Sequence, residues 1–95
     1  MPIGGEIRAL KGRILLLEDN RFVRDALKSM LESWGAEVID AGEPCEEFYR
    51  LAAETENVIA LVSDYNLGAE KPTGLEAAGM IEAHMKRPVP TVMLT

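Results

Sequence analysis

Cysteine is nearly missing from this chain: Cys45 stands alone, so no internal disulfide bond can form. The sequence therefore gives no indication of an oxidising compartment. Long apolar runs are missing as well. Residues 1–11 mix glycine, glutamate and arginine and lack the apolar stretch that a signal peptide or a membrane span requires. We expect a cytoplasmic domain with residues 1–11 as an N-terminal tail or linker.

Positive charge is scarce. Ten lysines and arginines stand against 16 aspartates and glutamates, which gives a formal net charge of −6. This charge repels nucleic acids and anionic membranes, so we expect neither as a direct partner, whereas cations and basic protein surfaces are compatible with it. With 95 residues, 47% of them hydrophobic, the chain is expected to form one soluble domain around one core.

Apolar segments alternate with segments of helical periodicity. Asn20 and Gly35 bound the first helix, Pro44 is suited to the first position of the second, and Thr73 with Glu76 forms a capping box that opens the third. This alternation predicts right-handed crossovers, a parallel sheet and the α/β class for residues 12–95. The predicted strands are 13–18 (RILLLE), 37–41 (EVIDA), 58–63 (VIALVS) and 91–95 (TVMLT).

Each predicted helix has an apolar stripe that we expect to face the sheet. Phe22 lies one position outside the first stripe, so we expect it to be exposed. The predicted stripes are Val23, Ala26, Leu27, Met30, Leu31 and Trp34; then Phe48, Leu51 and Ala52; then Leu75, Ala78, Ile81 and Met85.

Three of the predicted strands end in side chains that can bind or react. Glu18 and Asp19 close the first strand, Asp64 closes the third and Thr95 closes the fourth. Ligands of open parallel sheets bind beyond the carboxyl ends of the strands. Carboxylates gathered there repel one another unless a cation joins them, and Mg²⁺ accepts such ligands while keeping positions for water and phosphate. Any one of these acids alone is better explained as a solvated loop residue, but their joint placement favours a metal pocket.

The segments LKGRILLLEDN, LVSDYNLG, GLEAA and VMLT together resemble the response-regulator receiver domains of two-component systems, over nearly all of residues 11–95. The resemblance implies a flavodoxin-like parallel sheet with helices on both faces. It also implies a phosphoprotein in which Asp64 accepts a phosphoryl group with Mg²⁺ as the cofactor.

Further roles follow from the same resemblance. Asp19 is implied as a direct Mg²⁺ ligand, with Glu18 acting beside it through water, Asp64 itself as a ligand and the backbone carbonyl of Asn66 completing the protein ligands. The hydroxyl of Thr95 is implied to bond a phosphoryl oxygen and so to sense phosphorylation.

The resemblance implies a phosphohistidine donor, either a histidine kinase or a histidine phosphotransfer domain in a phosphorelay. Phe22 and Ala26 are candidate contacts for that donor, and the LKGRILLLEDN opening favours a hybrid histidine kinase as the parent protein. The domain itself is expected to be a phosphoacceptor that assists its own phosphorylation and not an enzyme acting on other substrates. No DNA-binding segment is recognisable.

The sequence departs from the family pattern at its end. Receivers continue with a fourth helix, a fifth strand ending in an essential lysine, and a fifth helix, so we expect a receiver that is incomplete at the C-terminus. Lys71 does not occupy the position of that essential lysine, and we expect it to be solvated. The last strand is expected to be an apolar edge that invites a strand-paired or swapped oligomer.

The residues also bear on functions other than that of a receiver. A pseudo-receiver, an interaction module without phosphotransfer, stays open as the alternative. An aspartyl-phosphate phosphatase is disfavoured because Asp64 is followed by Tyr65 and Asn66, without a second aspartate. Flavin or nucleotide binding lacks a glycine-rich phosphate loop. We expect His84 to be an ordinary surface histidine without an acidic neighbour, and Cys45 to be structural.

Overall fold

The computed structural model of the chain describes residues 11–94. The first ten residues of the predicted tail and Thr95, with the role implied for it, lie outside the described residues. Strands and helices alternate throughout, and no described helix is long and apolar enough to cross a membrane. The elements are β1 (Arg13–Leu17), α1 (Arg21–Ser33), β2 (Glu37–Ala41), α2 (Glu46–Glu54), β3 (Val58–Ser63), α3 (Gly74–Met85) and β4 (Thr91–Met93).

The four strands form one parallel sheet in the order β2-β1-β3-β4. Leu15 of β1 is in register with Ile39 of β2 on one side and with Leu61 of β3 on the other. The chain therefore runs outward from β1 to β2 and then crosses back to the far side of β1. The predicted α/β, flavodoxin-like class is confirmed, and the strand order reverses between β1 and β3, where such sheets bind ligands.

The sheet is packed on both faces. Successive side chains of a strand point to opposite faces, and β1 accordingly divides its leucines between two clusters. Leu15 and Leu17 contact the cluster under α2 and α3, whereas Leu16 packs on the opposite side with Leu31 of α1. The run that predicted a strand buried on both faces is confirmed, because Leu15, Leu16 and Leu17 have no exposed surface.

The N-cap residues predicted for the first and third helices are confirmed. The Asn20 side chain accepts the N–H groups of Phe22 and Val23, and Thr73 and Glu76 form the reciprocal capping box. Gly35 has the positive φ expected after a helix. The prediction that Pro44 is the first residue of the second helix was wrong: Cys45 is the N-cap, and α2 begins at Glu46. The predicted strands 13–18 and 91–95 are shorter in the structure, ending at Leu17 and Met93.

The predicted helix stripes are only partly buried. On α3, the predicted Ala78 and Ile81 are buried, but Leu75 is 64% exposed, because the helix turns Gly74 and Ala77 towards the sheet in its place. Leu51 is exposed and Tyr49 takes its place beside Phe48 and Ala52.

On α1, Leu31 is buried and Leu27 half-buried, while the rest of the predicted stripe is exposed, because α1 is the sole helix packed on its face of the described sheet. Phe22 is 82% exposed, as predicted. The exposed members of the stripe are Val23, Ala26, Met30 and Trp34.

A hydrogen-bonded histidine joins α2 to α3. His84 Nδ1 lies 2.8 Å from the Met80 carbonyl oxygen, and His84 Nε2 lies 2.8 Å from Glu46 Oε2. Both partners are acceptors, so both contacts are hydrogen bonds only when both ring nitrogens carry a proton. The hydrogen bond to Glu46 raises the pKa of His84, and the same bond lowers the pKa of Glu46. The expectation that His84 has no acidic neighbour was wrong.

We predict that this ion pair makes stability depend on pH. The His84 contribution is complete below the ordinary histidine pKa and is lost as pH rises through the raised value, whereas the Glu46 contribution is complete above the ordinary glutamate pKa. The pair therefore contributes fully between about pH 4.5 and 6.5. Thermal melts should show that His84→Gln lowers the melting temperature inside this window and has a smaller effect well above it. An equal loss at both pH values, or the same loss in a Glu46→Gln background, would contradict the prediction.

Candidate functional site

Three carboxylates meet at the carboxyl ends of β1 and β3. One oxygen from each of Glu18, Asp19 and Asp64 lies within 4.8 Å of the other two. Glu18 and Asp19 follow Leu17 directly and Asp64 follows Ser63, so neighbouring parallel strands deliver them to one edge of the sheet. The Asp64 N–H donates to the Leu17 carbonyl at 3.1 Å, which ties the two strand ends together.

The three acids differ in exposure. Glu18 is 5% exposed, Asp64 is half-buried and Asp19 is exposed. Burial raises the pKa of the Glu18 carboxyl, and the neighbouring Asp19 and Asp64 raise it further, while a hydrogen bond from the Asn20 N–H works in the opposite direction. The cluster thus concentrates negative charge at a site where part of the solvent has been removed.

An open cleft of about 670 Å³ lies against the carboxylates. Its lining includes Asn66, Gly68 and Ala69 of the loop after β3, Val23 and Leu27 of α1, and Leu94. Asn66 is therefore beside the acidic cluster, and its side-chain Oδ1 accepts the Gly68 N–H at 3.2 Å. Gly68 has a φ of +122°, which the loop after β3 needs in order to turn here. Lys71 is not among the residues that line the cleft, and its Nζ forms a salt bridge with Glu43 at 3.0 Å.

Gly74, the first residue of α3, packs directly against the backbone of Asp64, a contact that the sequence did not predict. Its N–H donates to the Tyr65 carbonyl at 2.7 Å, which presses the start of α3 against the end of β3. A Cβ atom at this position would collide with the Asp64 backbone carbonyl and would lie 2.8 Å from Ser63 Oγ. The available signal was the glycine itself, since a capping box does not call for glycine as the first helical residue.

We predict that Gly74→Ala destabilises the fold by about 1–3 kcal/mol, the usual penalty for forcing extra volume into a packed site. Urea unfolding measures the effect. Gly79→Ala is the matched control, because nothing lies within 4 Å of the added Cβ in the same helix. That control should be slightly stabilising, by about 1 kcal/mol at most, since alanine favours helix over glycine. Equal effects of the two substitutions would contradict the packing role.

The donor set fits a divalent cation of the hard class. Its donors are carboxylate oxygens, one side of the site opens to solvent, and the half-buried charge is one that a cation would compensate. Mg²⁺ and Ca²⁺ take such oxygen ligands, and Mg²⁺ usually keeps several waters and binds one or two protein carboxylates. Asp19 and Asp64 are placed to supply direct ligands, and the buried Glu18 lies beside them.

We predict that Asp19→Asn stabilises the protein when divalent cations are chelated, because it removes one of three mutually repelling charges. A gain of about 1 kcal/mol would raise the melting temperature by roughly 4–8 °C in a domain of this size. Added Mg²⁺ should raise the melting temperature of the wild type more than that of the variant. Asp25→Asn, on the exposed side of α1, is the control and should change little. A lower melting temperature for Asp19→Asn under chelation would argue against repulsion in the cluster.

No protein-family model matches the sequence, and no curated protein matches it. Solved structures resemble its fold. The receiver domain of the hybrid histidine kinase CckA superposes with a TM-score of 0.69 at 24% sequence identity, over 87% of this chain and 85% of that chain. The signal receiver domain of a modulated diguanylate cyclase from Desulfovibrio desulfuricans G20 superposes with a TM-score of 0.69 at 24% identity, over 88% of this chain and 66% of that chain. The response regulator PhyR from Brucella abortus superposes with a TM-score of 0.68 at 22% identity, over 95% of this chain and 36% of that chain.

At these identities the likeness is one of fold, and the chain has the fold of signal receiver domains. The chain spans less than two thirds of several of these proteins. It covers 36% of PhyR and 54% of a fusion that contains a trimeric coiled coil of yeast Spc42. The activities of those longer proteins are therefore not transferred to it.

Proposed function

We propose that this chain acts as a receiver in two-component signalling, taking a phosphoryl group onto Asp64 from a phosphohistidine with the help of Mg²⁺. The observation that supports this proposal best is the cluster of Glu18, Asp19 and Asp64 at the switch point of a receiver fold. Asp64 is half-buried at the edge of an open cleft, so a donor can reach it.

The proposed step is an in-line displacement at phosphorus. A carboxylate oxygen of Asp64 forms the new P–O bond as the P–N bond of the phosphohistidine breaks. The electron pair of that bond returns to the imidazole nitrogen, and the ring, protonated on its other nitrogen, departs as neutral histidine. The products are an aspartyl phosphate and an unmodified histidine.

The chain's own residues chiefly position the reactants, which is the main contribution of proteins to phosphoryl transfer. The hydrogen bond between Asp64 N–H and the Leu17 carbonyl fixes the acceptor against the end of β1, and Gly74 allows α3 to support it from below. Bound Mg²⁺ would neutralise negative charge on the transferring group. Glu18, Asp19, Asp64 and the Asn66 backbone carbonyl would hold the cation, as the resemblance implies.

The partner proposed for this site is a histidine kinase or a histidine phosphotransfer domain. Phe22 is exposed and directly follows the first residue of α1, near the cleft, which suits a contact with the donor. We extend this to a hybrid histidine kinase as the parent protein and to a cytoplasmic location. The domain would assist its own phosphorylation without turning over other substrates, and Thr95 would sense the phosphoryl group.

We predict that incubation with Mg²⁺ and acetyl phosphate or phosphoramidate adds one phosphoryl group, detected by intact-mass spectrometry. Asp64→Asn should abolish the addition, and EDTA should abolish it in the wild type. Asp25→Asn is the matched control, since it makes the same chemical change on an exposed helix and should be phosphorylated normally. No phosphorylation of either the folded wild-type chain or a version extended beyond Thr95 would favour the alternative, a pseudo-receiver that acts as an interaction module without phosphotransfer. Phosphorylation of the extended version alone would indicate that these 95 residues are an incomplete receiver.

A further inference from the structure

Arg24, in the first turn of α1, contacts the loop that carries two of the three carboxylates. Its Nη1 donates to the backbone carbonyl of Glu18 at 2.8 Å, and its Nε lies 3.4 Å from Asp40 Oδ2 on β2. The side chain is 19% exposed, so most of it is shielded from solvent. Arg24 thus connects α1, β2 and the loop after β1 through one planar group.

Lys28, one turn further along α1, shares only part of this arrangement. Its Nζ lies 3.1 Å from Asp40 Oδ1, but among the described residues no hydrogen bond or ion pair joins Lys28 to the loop after β1. Two cations of the same helix therefore pair with one aspartate, and Arg24 alone also bonds Glu18. A guanidinium can serve two acceptors in a fixed geometry, which the point charge of a lysine does not reproduce.

Gly42, just after β2, provides a second and independent observation. A Cβ atom there would lie 2.9 Å from Arg24 Nη1 and 3.6 Å from the central guanidinium carbon. Gly42 is not among the residues with positive φ, so its backbone conformation does not require glycine. The missing side chain instead leaves the space that the guanidinium occupies.

We infer that Arg24 is a positioning residue for the cation site: together with Asp40 and Gly42 it fixes the backbone at Glu18 so that Glu18 and Asp19 converge with Asp64. This inference rests on the proposed function, because it concerns the cation that phosphoryl transfer would use. Arg24 acts through the loop backbone, since its bond to Glu18 is to the backbone carbonyl and not to the carboxylate.

The sign of the expected effect separates positioning from simple charge. Arg24→Met makes the protein more negative, so long-range electrostatics alone would strengthen cation binding. If Arg24 instead positions the loop, its removal should weaken cation binding. Loss of a residue that orients metal ligands typically weakens metal affinity by about 10- to 100-fold, and we expect about tenfold for Arg24→Met.

The test is a titration of the 95-residue chain with MgCl₂, followed by the amide NMR signals of residues 18–20 and Asp64. Lys28→Met is the matched control, because it removes the same charge from the same helix and the same aspartate but leaves the Glu18 carbonyl bonded. It should bind Mg²⁺ as tightly as the wild type or slightly more tightly. Arg24→Lys keeps the positive charge but lacks the planar guanidinium that serves two acceptors. We expect its Mg²⁺ affinity to fall nearly as much as that of Arg24→Met.

Gly42→Ala provides a test should Arg24→Met fail to fold. Its added methyl meets the far end of a flexible side chain, so the fold can adapt while the guanidinium is displaced. We expect weaker Mg²⁺ binding and faster hydrogen exchange of the Asn20 amide, which is bonded to Glu18 Oε2 in the ordered loop. Unchanged Mg²⁺ affinity in a folded Arg24→Met or in Gly42→Ala would overturn the inference.

Failure of the proposed function has a different signature. A wild-type chain that binds no Mg²⁺ would refute the cation site and the positioning inference together. Wild-type binding that is equal in the Arg24, Lys28 and Gly42 variants would refute positioning alone. Tighter binding in both Arg24→Met and Lys28→Met would show that Arg24 acts only as a charge.

Discussion

Parallel pairing of β1 with a neighbour on each side is the constraint on which the rest of this structure depends. The last three residues of β1, all leucines, are fully buried, so this part of the strand has no solvent-facing side on which polar residues could be placed. Charged side chains are therefore confined to the two ends of the strand, Arg13 at its start and the acids that follow Leu17. Because β3 runs in the same direction, its terminal acid reaches the same edge, and the carboxylate cluster follows from the direction of the strands.

The cluster is unfavourable in isolation, and the surrounding structure holds it by the backbone. The Asp64 N–H is bonded to Leu17, the Glu18 carbonyl to Arg24, and Gly74 lets α3 approach the carbonyl of Asp64. None of these contacts neutralises a carboxylate directly. The arrangement thus keeps like charges together beside an open cleft that the three acids help to line, which suits a cation that retains water.

The two faces of the sheet are packed differently. Under α2 and α3 the core is continuous, and these helices are further joined by the His84 and Glu46 pair. On the other face, α1 is the one helix of residues 11–94 that covers the sheet, and Val23, Met30 and Val92 are exposed. The apolar edge at β4 matches the expectation of an exposed last strand. A strand-paired or swapped oligomer stays a prediction.

Sequence alone determined the features that depend on near neighbours along the chain: the buried strands, the caps at Asn20 and Thr73, the α/β order, and the acids at the strand ends. Tertiary structure decided which helix residues face the sheet, because rotation of α3 exposes Leu75 and buries Ala77 in a way that helical periodicity does not fix. It also decided that Arg24 bonds Glu18 beside Gly42, that His84 meets Glu46, and that Gly74 must be small. These contacts join elements that are brought together only when the strands pair, so no local pattern in the sequence could specify them.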